Sequence, residues 1–408
     1  MEADRQHLKV YLVGGIVRDL IIKRKNLDLD LVVEGNAINF AQHCARVLGF
    51  KIKSYGQFGT STLEGNNGLR LDFATARCEK YPQPGALPIV QEGSLKDDLF
   101  RRDFTINTLA IAIHDGHDGQ LMDAFGGLSD LKNKKIRILH DQSFVDDPTR
   151  ILRAVRFEQR FHFKIERKTL ALLKKAVTSG RMDSVKPARY FVEFKKILME
   201  SEPRRHLKRL SELKAFEWLD PEFKLDLQAT HSLPGQLSQM RKKIRCCHES
   251  KVWLFNFMAL VEKSNPRLTH RILERFPFKR EEKKSILQIT KLQDIIGALS
   301  RRDLMPSEVY RLLKPLTDDA ILYFHLRAKK NIVCQRIDCF LGHDIKVKLN
   351  INGKDLEHMG FSSGPNIGET LDKVLYQKID GNIRSKKDEL RLALKLKITQ
   401  RRSSRSFR

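Results

Sequence analysis

Three consecutive stretches decide the fold: KVYLVGG at Lys9–Gly15, VRDLIIKRK at Val17–Lys25 and LDLDLVVEG at Leu27–Gly35. The first is an apolar run ending on paired glycines, which reads as a buried strand. The second reads as a short helix. The third alternates leucine with carboxylate, the period-2 signature of a strand, so Asp28 and Asp30 point to one face while Leu27, Leu29 and Leu31 point to the other. Two carboxylates side by side repel each other unless a cation joins them. Hard oxygen ligands at this spacing suit Mg²⁺, which keeps some waters and completes its shell with phosphate oxygens. An alternating polar strand on a solvated sheet would produce the same D-x-D. The setting argues for the metal: Gly14-Gly15 ends a strand and begins a helix just upstream, followed by Arg18 and Asp19. Glycines there let backbone N–H groups approach phosphate oxygens, so a triphosphate site is expected.

Working outward, NAINFAQHCARVLGF has helical spacing with Asn36 as its N-cap. KIKSYGQFGTSTL and GLRLDFATAR read as paired strands around a turn at Gly65–Gly68. The second of these carries Asp72, either a third carboxylate of the site or a strand-end cap. Residues 78–98 contain Pro82, Pro84, Pro88, Gly85 and Gly93 and are expected to form a mobile loop. RRDFTINTLAIAI is expected to open a helix, with a glycine-rich turn following at Phe125–Gly127. Alternation of strands and helices over the first 140 residues is an α+β pattern.

From Asp147 onward the texture is helical almost throughout, punctuated near Pro234–Gly235, Pro306 and Asn352–Gly353. In DDPTRILRAVRFEQRF, Pro148 suits the first turn of a helix and the preceding Asp its cap. Arg150, Arg153, Arg156 and Arg160 fall within about 120° of one another on that helix, opposite Ile151, Leu152 and Val155. One buried face and one basic stripe are expected.

The chain has 408 residues with 76 Lys+Arg against 50 Asp+Glu, a net charge of +26. Such an excess favours a polyanionic partner, because neutralising phosphates releases counterions. Hydrophobic residues at 41% and charged residues at 31% fit a folded protein and exclude a disordered one. MEADRQHLKVYLVGG lacks the basic and apolar regions of a secretion signal, and no stretch approaches the ~18 apolar residues of a membrane helix. A cytoplasmic protein is expected. The six cysteines show no C-x-x-C pairing, and Cys246-Cys247-His248 reads as structural or incidental.

LVGGIVRD, LDLD, RRDFTINTLA and DDPTRILRAVRF, in that order, resemble the class II tRNA nucleotidyltransferase family, which includes CCA-adding, CC-adding and A-adding enzymes and bacterial poly(A) polymerases. The resemblance is dense over about residues 10–165. It returns in INGKDLEHMGFSSGPNIGETLDKVL, similar to the family's tail segment. It implies an α+β nucleotidyltransferase head at 1–140 (mixed or antiparallel sheet with flanking helices), followed by an elongated all-α half. That half would comprise a neck with a base-recognition helix at 141–200, a body at 201–340, a tRNA-binding tail at 341–400 and a disordered basic end at 401–408.

The resemblance also implies roles. Gly14, Gly15 and Arg18 would hold the triphosphate; Asp28 and Asp30 would be catalytic and hold Mg²⁺. Arg101, Arg102, Asp103 and Asn107 would recognise the ribose. Asp147 and Arg150 would choose the base, with Arg153 near the nucleotide. The partners would be tRNA and ATP and/or CTP, and the reaction attack of an RNA 3′-hydroxyl on the triphosphate with release of pyrophosphate. A poly(A) polymerase would carry a Gly-basic-basic-Phe segment; Tyr55-Gly56-Gln57-Phe58-Gly59-Thr60 lacks the basic pair. A non-catalytic RNA-binding homologue would have lost a carboxylate or the RRD segment, and both are present. CCA-, CC- and A-addition stay open. Helical basic residues including Arg204, Arg205, Lys208, Arg209, Arg241, Lys242 and Lys243 are expected to meet the tRNA backbone collectively.

Overall fold

The computed structural model describes residues 2–226 and 252–405 apart from 67, 84, 87, 115 and 217, with the side chains of 58 and 399–405 also left undescribed. Pro234–Gly235, Arg241, Lys242, Lys243 and Cys246-Cys247-His248 lie outside the described residues. Two compact units are present, Met1–Leu225 and Asp226–Arg408.

The first unit opens with α1 (Glu2–Arg5), β1 (Lys9–Val13), α2 (Gly15–Ile21), β2 (Asp28–Glu34), α3 (Ala37–Leu48), β3 (Lys51–Tyr55), β4 (Thr60–Glu64) and β5 (Arg70–Thr75). A hairpin of β6 (Arg77–Lys80) and β7 (Ile89–Glu92) precedes α4 (Leu95–Phe100), β8 (Ala110–Ala112) and β9 (Leu121–Met122). There follow α5 (Gly127–Lys132), β10 (Lys135–Ile136), α6 (Ser143–Asp146), α7 (Arg150–Phe161), β11 (Lys164–Ile165), α8 (Arg167–Thr178), α9 (Pro187–Leu198) and α10 (Pro203–Glu212). Seven strands form one mixed sheet in the order β3-β4-β5-β2-β1-β8-β9, antiparallel except for the parallel pair β2–β5.

Period-2 alternation places the site. Val10, Leu31, Val33 and Phe73 pack with Phe40, Ala41 and Ala45 of α3 on one face. Tyr11, Val13 and Val32 pack with Leu95 and Leu99 of α4 and with Ala110 and Ala112 on the other. Asp28 and Asp30 share the parity of Val32, so they face away from α3 at the uncovered end of β2, and both are exposed. Of the leucines opposite them, Leu31 is buried and Leu29 half-buried, but Leu27 precedes the strand and is 65% exposed. Asn36 does cap α3, its side chain accepting from the Asn39 N–H at 3.0 Å.

Two local expectations are corrected. RRDFTINTLAIAI does not open an α-helix: it makes a single 3₁₀ turn over Thr105–Asn107 and then enters β8. Side chains hold the turn out of a helix, Thr105 Oγ1 donating to Asp130 at 2.5 Å and Asn107 Nδ2 to Asp103 at 2.8 Å. The strand itself is legible afterwards as Ala-Ile-Ala alternation. Residues 78–98, expected to be one mobile loop, are mostly ordered as the β6–β7 hairpin and the first turn of α4.

In the second unit the described elements are helices from Val252–Val261 to Lys386–Arg405 and short 3₁₀ turns. The tail-like segment builds its own core from Ile351, Leu356, Phe361, Val374 and Ala393. Pro365 begins the helix Pro365–Ile379, as its fixed φ suits. The last helix runs to Arg405, through residues read from sequence as a disordered basic end. Among the described residues no helix is long and apolar enough to cross a membrane.

Candidate active site

A cleft of about 960 Å³ opens above the exposed ends of β2 and β5 in the first unit. Gly15, Arg18, Asp28, Asp30, Asp72, Arg101, Arg102, Asp103, Asn107, Asp147, Arg150 and Arg153 all line it. Segments far apart in sequence are brought together there by β2, the 3₁₀ turn, α7 and α9.

Asp72 sits beside Asp30 in the parallel β2–β5 register. Its carboxylate accepts from Thr62 Oγ1 at 2.5 Å and pairs with Arg70 Nε at 3.0 Å. Burial raises the Asp30 pKa; Arg102 opposes the rise, and Asp72 and Asp28 add to it. Among the described residues no group of three His, Cys, Asp or Glu side chains is arranged to hold a metal unaided.

Gly14 is absent from the lining. Its N–H donates to the Leu109 carbonyl at 3.2 Å, so that group is already engaged. What Gly14 provides is room and backbone freedom. Its φ is +75°, and a Cβ there would lie 2.6 Å from Arg102 Nη1.

The cleft arginines are held by carboxylates. Arg102 Nη2 donates to Asp98 at 2.9 Å, and Arg101 donates to the same Asp98 at 2.6 Å and to Glu79 at 3.2 Å. Buried Arg18 donates to Asp19 at 2.8 Å and to Asn107 Oδ1, and lies 4.5 Å above the Phe161 ring. Asn107 passes the connection to Asp103, which accepts from Arg153 Nε at 2.8 Å. Burial alone would push Asp103 up, but the Arg153 charge and the Asn107 hydrogen bond outweigh it and hold the carboxyl at about 2.

The expected basic stripe on α7 is therefore not a solvated face. Arg150 and Arg156 are buried, and Arg153, Arg156 and Arg160 are drawn inward by Glu193 and Glu200 of the α9 region at 3.2–3.9 Å. The aromatic side of the helix cooperates, Arg156 lying 4.6 Å over Phe157. Arg209, one of the residues expected to meet the tRNA backbone, is likewise bound to Glu158 at 2.7 Å.

At the start of α7, Arg150 donates to Ser143 Oγ at 2.6 Å and to the Arg101 carbonyl at 2.7 Å. Asp147 Oδ1 collects three donors: Thr149 N–H at 3.1 Å, Thr149 Oγ1 at 2.6 Å and Arg189 Nη2 at 3.0 Å. Among the described residues none donates to Oδ2. Sequence reading passed over Glu79, Asp98, Arg189, Glu193 and Lys196. Arg189 and Glu193 did carry a signal: they stand four apart behind Pro187, on one face of a helix.

Comparison with known proteins follows this geometry. Residues 10–137 match the poly A polymerase head domain, and residues 162–227 match a domain described as the probable RNA and SrmB-binding site of polymerase A. An A-adding tRNA nucleotidyltransferase of Halalkalibacterium halodurans is 33% identical over 96% of this chain and 89% of its own length. One of Geobacter sulfurreducens is 35% identical over 96% of this chain, which spans only 46% of that relative. A solved CCA-adding enzyme in complex with ATP superposes with a TM-score of 0.77 at 34% identity, covering 96% of this chain and 92% of that one.

Proposed function

The chain belongs to the tRNA nucleotidyltransferase family, and from that premise we propose that it extends the 3′ end of tRNA, without a template, using ATP and, in the CCA-adding case, CTP. The observation that carries the proposal is the single cleft holding both the carboxylates of β2 and the Asp147–Arg150 pair. A-adding and CCA-adding relatives share addition of the terminal A. ATP is accordingly the nucleotide to which the reading commits.

Asp28 and Asp30 would hold the metal. They are hard oxygen donors on one face of one strand, and the donor set fits Mg²⁺ completing its shell with phosphate and water. When bound, the ion supplies activation of the attacking 3′-hydroxyl and neutralisation of the leaving pyrophosphate. Arg102, fixed by Asp98 and packed against Gly14, and Gly15 and Arg18 bind the triphosphate. Asp103 and Asn107 face the ribose, where an acceptor and an amide can bond a 2′-hydroxyl and so select ribonucleotides. Because Arg18, Arg102, Asp103 and Asn107 are already held by neighbours, little reorganisation of them accompanies binding.

Base choice follows from the Asp147 geometry. Its free Oδ2 is an acceptor, so it bonds an exocyclic amino group. Cytosine and adenine present an amine there, whereas uracil and guanine present a carbonyl oxygen. Arg150 keeps N–H groups beyond those given to Ser143 and Arg101, and these meet the ring-nitrogen acceptor beside that amine. Arg150→Ala is expected to narrow the preference for the cognate triphosphate over UTP by roughly tenfold to a hundredfold. Competition between labelled nucleotides on one tRNA measures it; an unchanged ratio removes Arg150 from base reading.

The founding test offers purified protein tRNAs lacking one, two or three terminal nucleotides, with labelled ATP or CTP. A onto tRNA ending in CC is the expected product. C onto the shorter tRNAs would identify a CCA-adding enzyme, and its absence an A-adding one. Incorporation into generic RNA but none of these tRNAs would replace the reading by poly(A) polymerisation.

A further inference from the structure

Arg189 makes two contacts that the mechanism above does not use. Its Nη2 pairs with Asp147 Oδ1 at 3.0 Å, and its Nη1 donates to the Gly85 carbonyl at 2.9 Å. Gly85 lies between β6 and β7, and its own N–H donates to the Asp146 carbonyl at 3.3 Å. The tip of the hairpin is thus held on one side by the segment bearing the base-reading carboxylate and on the other by Arg189 of α9. The approach is close: Gly85 has φ +71°, and a Cβ there would lie 2.6 Å from Ser184 Oγ and 2.8 Å from the Ser184 carbonyl oxygen. Ser184 ends the turn that leads into α9, so the same helix start carries both the seat of the tip and the arginine.

The other end of the hairpin is equally tied to the cleft. Glu79 accepts from Arg77 at 3.0 Å, Arg101 at 3.2 Å and Tyr81 at 2.9 Å. Arg101 then gives its carbonyl to Arg150. The hairpin is therefore linked to both members of the base-reading pair, to Asp147 through Arg189 and to Arg150 through Arg101.

We propose that Arg189 is a positioning residue for base selection: its fork, braced by the seated Gly85 tip, fixes Asp147 Oδ1 so that Oδ2 alone faces the base. This rests on the role of Asp147 proposed above. With Arg189 removed, Thr149 alone holds Oδ1, and a carboxylate held only by its neighbour two residues on can turn. Misplacement of a reading group by about 1 Å costs up to ~10²-fold in rate, and the loss falls on the nucleotide whose amine it reads. UTP, which has no such amine, loses less.

The test measures kcat and KM for ATP and UTP on tRNA ending in CC. Arg189→Ala is expected to reduce the ATP-over-UTP preference by about tenfold, chiefly through kcat/KM for ATP. Gly85→Ala alters neither Asp147 nor Arg189; it unseats the tip and should shift the same ratio in the same direction. The double variant should do no more than the larger single effect, since both cut one connection. Arg189→Lys keeps a charge at Asp147 but loses the planar fork, and should recover only part. A loss of activity that leaves the ATP/UTP ratio unchanged in Arg189→Ala, or additive effects in the double variant, overturns the proposal. Hydrogen exchange on the protein alone separates this from the founding reading. Amides of residues 77–92 should exchange faster in Arg189→Ala even if the wild type extends no tRNA, and unchanged exchange refutes the clasp.

Discussion

Asp30→Ala is expected to lose nucleotide addition by at least ~10³-fold, the several kcal/mol that metal-held charge stabilisation would supply to a phosphoryl transition state. Asp28→Ala behaves alike. Single-turnover incorporation of labelled ATP reads the loss, and filter binding of tRNA should stay near wild type, because the cations expected to meet a tRNA backbone are spread over other elements. Stability should not fall either. Asp30 reaches solvent in the cleft at the end of β2, sits beside Asp72 in the adjacent register and has its pKa raised by partial desolvation there and by its carboxylate neighbours. Removing such a charge relieves repulsion, so the melting temperature in metal-free buffer stays level or rises. Turnover within tenfold of wild type would sink the metal assignment.

Arg153→Leu is expected to destabilise the first unit by about 3–5 kcal/mol, because it leaves buried Asp103 without its ion-pair partner and takes one of three cations from Glu193. Asp103 is only 7% exposed and takes Arg153 Nε at 2.8 Å, while Glu193 takes Nη1 at 3.2 Å. On a unit of this size the melting temperature falls on the order of 10 °C. Adding Asp103→Asn to the variant should recover part of the loss by removing the orphaned charge; no recovery would show that packing, not charge, was at stake. The pH dependence distinguishes the two as well. Asp103 is depressed to about 2 from 3.8, so its contribution is present above the unfolded value and disappears as pH falls through the folded one. Wild type should thus lose about 2 kcal/mol between roughly pH 4 and pH 2 from this group, and Arg153→Leu should lose much less over the same window.

The sheet that carries the carboxylates could be read from sequence because strand parity is local: LDLDLVV fixes which residues face α3 and which face the cleft. Gly14 was legible as a special backbone position but not in its reason, since the side chain that needs the space is Arg102, distant in sequence. The arginines of α7 illustrate the limit. Helical spacing placed Arg153, Arg156 and Arg160 on one face correctly, yet that face meets Glu193 and Glu200 of a later element. No pattern within α7 announces a partner supplied by α9, so the stripe was legible as basic but its pairing was not. Residues 105–112 misled for a different reason: Asp103 and Asp130 captured the Asn107 and Thr105 side chains, and the chain turned into β8.

The inward pairing of α7 with α9 has a consequence for the order in which the protein is made. Translation delivers the carboxylates of β2 early and Glu193 and Arg189 late. A nascent chain that ends before α9 carries α7 arginines without their acceptors and Asp147 without its cation, held only by Thr149. The sheet can form while the ribosome is still extending the chain, but the reading end cannot be set until α9 emerges and docks. Competence should therefore arrive abruptly near the end of the first unit.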